Sequence, residues 1–230
     1  MLDKVIENYC YLPQWSSSPL WKLLHRYLDY KDSDGIITFL NYGFADLKTN
    51  DGKIKLENSD EPNRYCIQLY HHIVSSIKLK GLDILEVGCG RGGGASYIVR
   101  YLKPKSYIGL DKSKKCTKFC NAFYKGTYPF FVTGDAEHLC FDNNSFDVII
   151  NVESSRCYRN MDCFLFEVYR VLRPSGYFLF GDMRTKDKGD ILMEQLRTVK
   201  MKVIDLTPSR RSAINTILQK NGSDRSRKRP

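Results

Sequence analysis

Asp83-Ile-Leu-Glu-Val-Gly-Cys-Gly-Arg-Gly-Gly-Gly-Ala95 is the stretch on which the fold turns. A short apolar segment runs straight into glycines at 88, 90, 92, 93 and 94, and a helix-forming sequence follows. Glycine here lets the main chain turn tightly and lets a ligand approach where a Cβ would clash. Gly88, Gly90 and Gly93 also satisfy the dinucleotide spacing GxGxxG, so the glycines alone leave the ligand open. Outward from this turn, apolar strands recur at 82–87, 107–111, 130–133, 146–152 and 177–181. Helical patterns near 93–103, 113–125 and 160–172 lie between them, and another at 63–79 precedes them. Such alternation means βαβ units, a parallel sheet covered on both faces and an α/β doubly wound fold.

At 230 residues, 42% hydrophobic and 27% charged, the composition is that of a globular protein able to bury a core without disulfides or metal. No apolar run approaches the roughly 20 residues that span a bilayer. The opening MLDKVIENYC lacks a basic region leading into an apolar one, so a cytoplasmic protein is expected. The eight cysteines include no CxxC pair and no zinc spacing, so no metal site is expected. Cys116 and Cys120 share a helical face with Phe119 and Phe123 and read as packed thiols. Residues 210–230 hold seven basic side chains against one acid, more than half of the net charge of +10. The basicity therefore belongs mainly to a polar tail, expected to be mobile, and no stable nucleic-acid partner is expected beyond weak contacts of that tail.

Three segments result: an N-terminal helical cap or lid over 1–61, a ligand-binding domain over 62–209 and the basic tail over 210–230. In the first, Ser18-Pro19 starts a helix, and Leu20, Trp21, Leu24, Tyr27 and Leu28 form its apolar stripe. That stripe faces the main domain, a substrate or a membrane surface. The stretches 41–44 and 50–52 read as turn-rich.

Two carboxylates refine the ligand. Asp111 ends the second strand, where an acid can accept both hydroxyls of a ribose. Glu86 lies two residues before the first glycine, inside an apolar strand, where a buried acid is costly unless paired or hydrogen-bonded. It either fixes the glycine loop and the cationic end of a ligand or ties down loop N–H groups alone.

With these residues in place, the segment 85–92 resembles motif I of class I S-adenosylmethionine-dependent methyltransferases, whose fold is Rossmann-like. Gly109-Leu-Asp111 is similar to the acid that follows, Gly134-Asp-Ala-Glu137 to the adenine segment, and Phe146-Asp-Val-Ile-Ile-Asn-Val-Glu153 to motif IV. The run 167–180, centred on Leu172-Arg-Pro-Ser-Gly176, resembles the helix, turn and strand that come next. More narrowly, Leu40-Asn-Tyr-Gly-Phe44, Gln68-Leu-Tyr-His-His72, Gly92-Gly-Gly-Ala-Ser96 and Val152-Glu-Ser-Ser155 resemble phthiotriolone dimycocerosate methyltransferases. Those enzymes O-methylate a hydroxyl on a long lipid-like substrate.

The resemblance implies S-adenosylmethionine as cofactor. It implies that Glu86, Gly88, Cys89, Gly90 and Gly92 line its methionine and ribose part, and that Asp111 holds the ribose hydroxyls with Lys112 beside it. Asp135, Ala136 and Glu137 would meet adenine, and Asn151 would close the floor near the sulfonium. An alcohol acceptor gains from a base within hydrogen-bond reach. The candidates after the fourth strand are Glu153, Arg156 and Tyr158. Relatives of this family commonly carry His where Arg156 stands, and a guanidinium stays protonated near neutral pH. His71 and His72 are substitutes, but as helical neighbours they project about 100° apart and cannot both face one site.

A second departure is expected at the C-terminus. Residues 190–198 suit a helix and 201–206 a sixth strand, but the seventh strand of this fold is expected to be missing, leaving strand edges unpaired. The reading is an S-adenosylmethionine-dependent O-methyltransferase acting on a small or lipid-like hydroxyl acceptor. Its alternatives are a catalytically weak binding or regulatory protein and an RNA- or protein-directed methyltransferase. An NAD enzyme would leave Glu86 and the 134–137 segment unexplained.

Overall fold

The computed structural model describes residues 37–45, 54–126, 129–184, 186–199, 201–208 and 213–221. The expected helix at Ser18-Pro19 with its stripe, the turn at 50–52 and the basic run at 222–230 lie outside the described residues.

Seven strands form one sheet: β1 (Asp83–Val87), β2 (Ser106–Asp111), β3 (Phe130–Thr133), β4 (Phe146–Val152), β5 (Leu172–Met183), β6 (Met201–Pro208) and β7 (Ala213–Lys220). Their spatial order is β3-β2-β1-β4-β5-β7-β6. The first five run parallel, and β7 pairs antiparallel with β5 on one side and β6 on the other. Among the described residues five α-helices accompany them: α1 (Arg64–Val74), α2 (Gly93–Tyr97, continued by a π-helical turn over Ile98–Leu102), α3 (Lys114–Phe123), α4 (Met161–Val171) and α5 (Lys186–Thr198).

The central strands are mostly apolar because both faces are covered. Ile84, Tyr107, Val148, Ile150 and Leu179 face one layer with Ile67, Ile73 and Val74 of α1 and Tyr97 of α2. Leu85, Val87, Ile149, Phe178 and Phe180 face the opposite layer with Phe164, Leu165 and Val168 of α4 and Leu192 and Leu196 of α5. Alternate residues of one strand thus enter two different cores, as the period of 2 requires. Cys116 and Cys120 are buried thiols on α3.

The expectation of a missing seventh strand is corrected. Residues 213–220 are that strand, with Phe178 opposite Leu218 on β5 and Val203 opposite Leu218 on β6. Its polar content hid it: Thr216, Gln219 and Lys220 flank the two buried apolar residues Ile217 and Leu218. A strand paired on both sides draws its stability from the ladder as well as from its side chains, and Ile217 and Leu218 each enter one of the two cores. Lys220 is buried without leaving its ammonium unsatisfied. Nζ donates to the carbonyls of Tyr169 at 2.8 Å and Leu172 at 2.7 Å and to Asn144 Oδ1 at 2.9 Å. The segment read as tail from 210 onward therefore contributes β7 to the sheet before any tail begins.

Among the described residues, no helix is long and apolar enough to cross a membrane, and no group of three or more His, Cys, Asp or Glu side chains could hold a metal ion.

Candidate active site

The site is built at the carboxyl ends of β1, β2 and β4, the edge where an open parallel sheet gathers ligands. After β1 the chain turns through Gly88, whose φ of +81° and position 2.2 Å from Ser154 Oγ, measured from where a Cβ would stand, leave room for glycine alone. The N–H groups of Gly88 and Cys89 both donate to the Leu110 carbonyl, at 2.7 and 3.1 Å, which pins the turn against β2. Asp111, at the end of β2, accepts from Gly90 N–H through Oδ2 at 2.9 Å and from Ser113 N–H through Oδ1 at 2.8 Å. Burial raises its carboxyl above the usual value, and these two N–H groups oppose the shift.

A strap from the N-terminal segment lies across the turn. Gly93 N–H donates to the Thr38 carbonyl at 3.1 Å, Asn41 Nδ2 to the Cys66 carbonyl at 3.1 Å, and Tyr42 N–H to Glu153 Oε2 at 2.8 Å. Residues 37–45 contain neither helix nor strand. Strap, glycine turn and the turn after β4 enclose a cavity of about 380 Å³. Its wall includes Phe39, Leu40, Tyr70, Asp111, Glu153 and Tyr158, together with Gly88, Cys89 and Gly90.

The expected site residues fall into two sets. Gly88, Cys89, Gly90, Asp111, Glu153 and Tyr158 meet on that wall. The others do not line it. Glu86 is fully buried, and its oxygens accept from the hydroxyls of Tyr70 and Tyr107, each at 2.7 Å. Burial pushes its carboxyl up to about 7, with both phenols pulling it down. Its route to the cavity is Tyr70, which lines the wall and occupies the space beside Gly94. Asn151, also fully buried, donates to the Val87 carbonyl at 2.9 Å and to Ser154 Oγ and Tyr158 OH at 2.8 Å each. Gly92, with φ +79°, ends the turn and precedes α2. Lys112 pairs with Asp135 at 2.6 Å, Glu137 N–H donates to Asp135 Oδ1 at 3.1 Å, and Ala136 is buried in the α4 layer.

The catalytic candidates separate in the same way. Glu153 lines the cavity, and burial pushes its carboxyl up to about 7 against the pull of Tyr42 N–H and Arg156. Burial likewise lifts the Tyr158 phenol far above its usual value, so it stays protonated. Arg156 lies 5.0 Å from the Tyr42 ring centroid, with Nη1 3.4 Å from the Tyr42 hydroxyl. His71 Nδ1 is 2.7 Å from the Tyr97 hydroxyl, and His72 stacks on Phe44 at 4.3 Å. Neither histidine is on the cavity wall. Tyr70, Ser154 and the strap were not singled out by their residue types. Tyr70 reads in the sequence as one more apolar position of a helix stripe, and only its partner Glu86 reveals the use of its hydroxyl.

A glycine turn, a strand-terminal acid and a cavity beneath a strap define a methyltransferase-type fold, and comparison with known proteins agrees. Residues 85–180 match the family model described as "Methyltransferase domain". That segment is a methyltransferase domain. The chain is 46% identical over 165 residues to the fatty-acid O-methyltransferase of Mycolicibacterium smegmatis, covering 72% of this chain and 60% of that one. It is 44% identical over 169 residues to the phthiotriol/phenolphthiotriol dimycocerosates methyltransferase of Mycobacterium leprae, covering 74% and 62%. The chain thus spans less than two thirds of the length of these relatives. Among solved structures, the [4+2]-cyclase SpnF aligns with a TM-score of 0.64 at 17% identity over 80% of this chain and 88% of that one. An S-adenosylmethionine-dependent methyltransferase from Mesorhizobium loti aligns at 0.58 and 14%, over 66% and 96%. These two likenesses establish the fold.

Proposed function

We propose that the chain transfers a methyl group from S-adenosylmethionine to an oxygen of a lipid-like acceptor, with Glu153 as proton acceptor. The observation that carries this reading is a buried carboxylate of near-neutral proton affinity on the same wall as the glycine turn and Asp111. The cradle suits the cofactor: Gly88 and Gly90 leave the main chain bare, and Asp111 spends one bond per oxygen on the backbone, leaving lone pairs for ribose hydroxyls. Gly92 completes the turn, Asp135, Ala136, Glu137 and Lys112 flank the adenine side, and Glu86 and Asn151 stiffen the wall from behind.

When bound, S-adenosylmethionine supplies a methyl group already activated on a sulfonium. What remains for the chain is alignment and proton removal. Glu153 takes the hydroxyl proton of the acceptor. Phe39, Leu40 and Val152 give hydrocarbon next to the reacting oxygen an apolar wall. A lipid-like acceptor is the class on which the two named relatives act.

A second reading is favoured by Arg156. A carboxylate acceptor carries no proton to remove, and a guanidinium stacked on Tyr42 near Glu153 is suited to hold it. The two readings differ in product and in their need for Glu153. Calorimetric titration with S-adenosylmethionine, run beside Asp111→Ala, should give saturable binding that the variant loses. Incubation with long-chain alcohols and free fatty acids then separates ether from ester. Ester formation that survives Glu153→Gln selects the carboxylate reading. Absence of binding by the folded parent removes both.

A further inference from the structure

Glu153 has a left-handed backbone, with φ +50°, a conformation that residues with a Cβ rarely adopt. The groups that hold it there lie behind the cavity. Its N–H donates to the Gly181 carbonyl at 2.7 Å, extending the β4–β5 ladder one residue past β4. Two residues on, Ser155 is 2% exposed, and its hydroxyl donates to Oδ2 of Asp182, the residue after Gly181. Asp182, also 2% exposed, accepts from Met183 N–H at 2.8 Å. Arg184 Nη2 closes the group, 2.7 Å from Ser155 Oγ and 3.3 Å from Asp182 Oδ2. Antiparallel pairing of Asp182 with Ile214 builds this network into the sheet where β7 joins β5.

We propose that Asp182 is a positioning residue for the methyl-transfer reaction: through Ser155 it fixes the turn that presents Glu153 to the cavity, and it places a second carboxylate behind that of Glu153. The inference rests on the reading of Glu153 as proton acceptor. Ser155 and Met183 donate to different oxygens of Asp182, so an asparagine could keep only one of the two bonds, and the acid adds both the second acceptor and the charge. The groups facing Glu153 are Arg156 on its own turn, Cys66 and Tyr70 on α1, Asp182 on β5 with its ion-pair partner Arg184 just beyond that strand, and the Tyr42 N–H of the strap. Burial raises the Glu153 carboxyl most, the Tyr42 N–H and Arg156 lower it, and Asp182 raises it further.

The test is carbon-13 NMR of the carboxyl-labelled full chain, with the Glu153 resonance assigned by its loss in Glu153→Gln. Titration requires no cofactor or acceptor, and thermal melts show which variants fold. Asp182→Asn keeps one of the two acceptor oxygens and removes the charge, so the Glu153 midpoint should fall by about one unit. Ser155→Ala keeps the charge and frees the turn. Its midpoint should stay with the parent while kcat for a long-chain alcohol in detergent micelles falls, up to about 100-fold, with little change in KM. If Asp182→Asn does not fold, Arg184→Gln leaves the Asp182 charge unopposed and should move the midpoint upward. A midpoint unmoved in a folded Asp182→Asn, or in Arg184→Gln where that variant replaces it, overturns the charge role whatever the activity. Parent-like kcat in Ser155→Ala overturns the positioning role. Full turnover of the alcohol by Glu153→Gln, with the Asp182→Asn shift intact, overturns instead the reading of Glu153 as proton acceptor.

Discussion

Gly88 and Gly81 have nearly the same backbone, φ +81° and +82°, yet they answer to different constraints. A Cβ on Gly81 meets nothing within 4 Å, whereas one on Gly88 lies 2.2 Å from Ser154 Oγ. Gly81→Ala should cost about 1–2 kcal/mol of strain alone. Gly88→Ala should cost a further 1–3 kcal/mol from overlap and abolish S-adenosylmethionine binding, measured by denaturant midpoint and calorimetry. Glu153→Gln should lower kcat on a hydroxyl acceptor by about 100-fold or more while leaving cofactor affinity within a factor of a few. The glycine turn and Asp111 were legible in the sequence because their roles depend on missing side chains and on a position at the end of a strand. Glu153 was legible only as one of four candidates: its guanidinium sets Arg156 apart as a base, but nothing local distinguishes Glu153 from Tyr158 or His71. Burial and the Tyr42 N–H from 111 residues away make the distinction.

At the scale of elements, β7 is the instructive case. Its residues read as a polar tail, and the β5–β7–β6 ladder makes them a central strand. Lys220 ends it by capping the carbonyls of Tyr169 and Leu172 beside the C-terminus of α4. Lys220→Met should leave those acceptors buried and unmet and lower stability by about 2–3 kcal/mol, read from chemical denaturation. With β7 present, one of the two grounds for a catalytically weak binding protein is gone. The other, Arg156, is the residue on which the two proposed acceptors, hydroxyl and carboxylate, differ. SpnF, named a cyclase, shares this fold, so the elements alone do not fix the chemistry.

Over the whole molecule, two acids set opposite pH responses. The Ser106 hydroxyl, with Arg173 and Lys105, holds Asp83 down at about 2 against the raising effect of burial. Its folded value lies below the ordinary 3.8, so its stabilisation is present above that pH and is lost as pH falls toward 2. Asp83→Asn should therefore lose about 2 kcal/mol at neutral pH and match the parent near pH 2, measured by denaturation across that range. Glu86 has the opposite sign. Its folded value of about 7 exceeds the ordinary 4.5, so its contribution is full below 4.5 and is lost as pH rises through 7. Glu86→Gln should melt higher than the parent at pH 8, with the advantage shrinking toward pH 4.5. An advantage that is constant with pH would mean that Glu86 is not the titrating group.

The sequence by itself determined the doubly wound sheet, the glycine turn and the acid that follows it. These are encoded in short runs, where periodicity and the lack of a Cβ act within a few residues. Tertiary structure alone decided that 213–220 would be a strand, that Tyr70 would carry Glu86 to the cavity, and that Glu153 would be buried beneath a strap. Each of these depends on partners far away in the chain, through ladder bonds, desolvation and charge that no local pattern records.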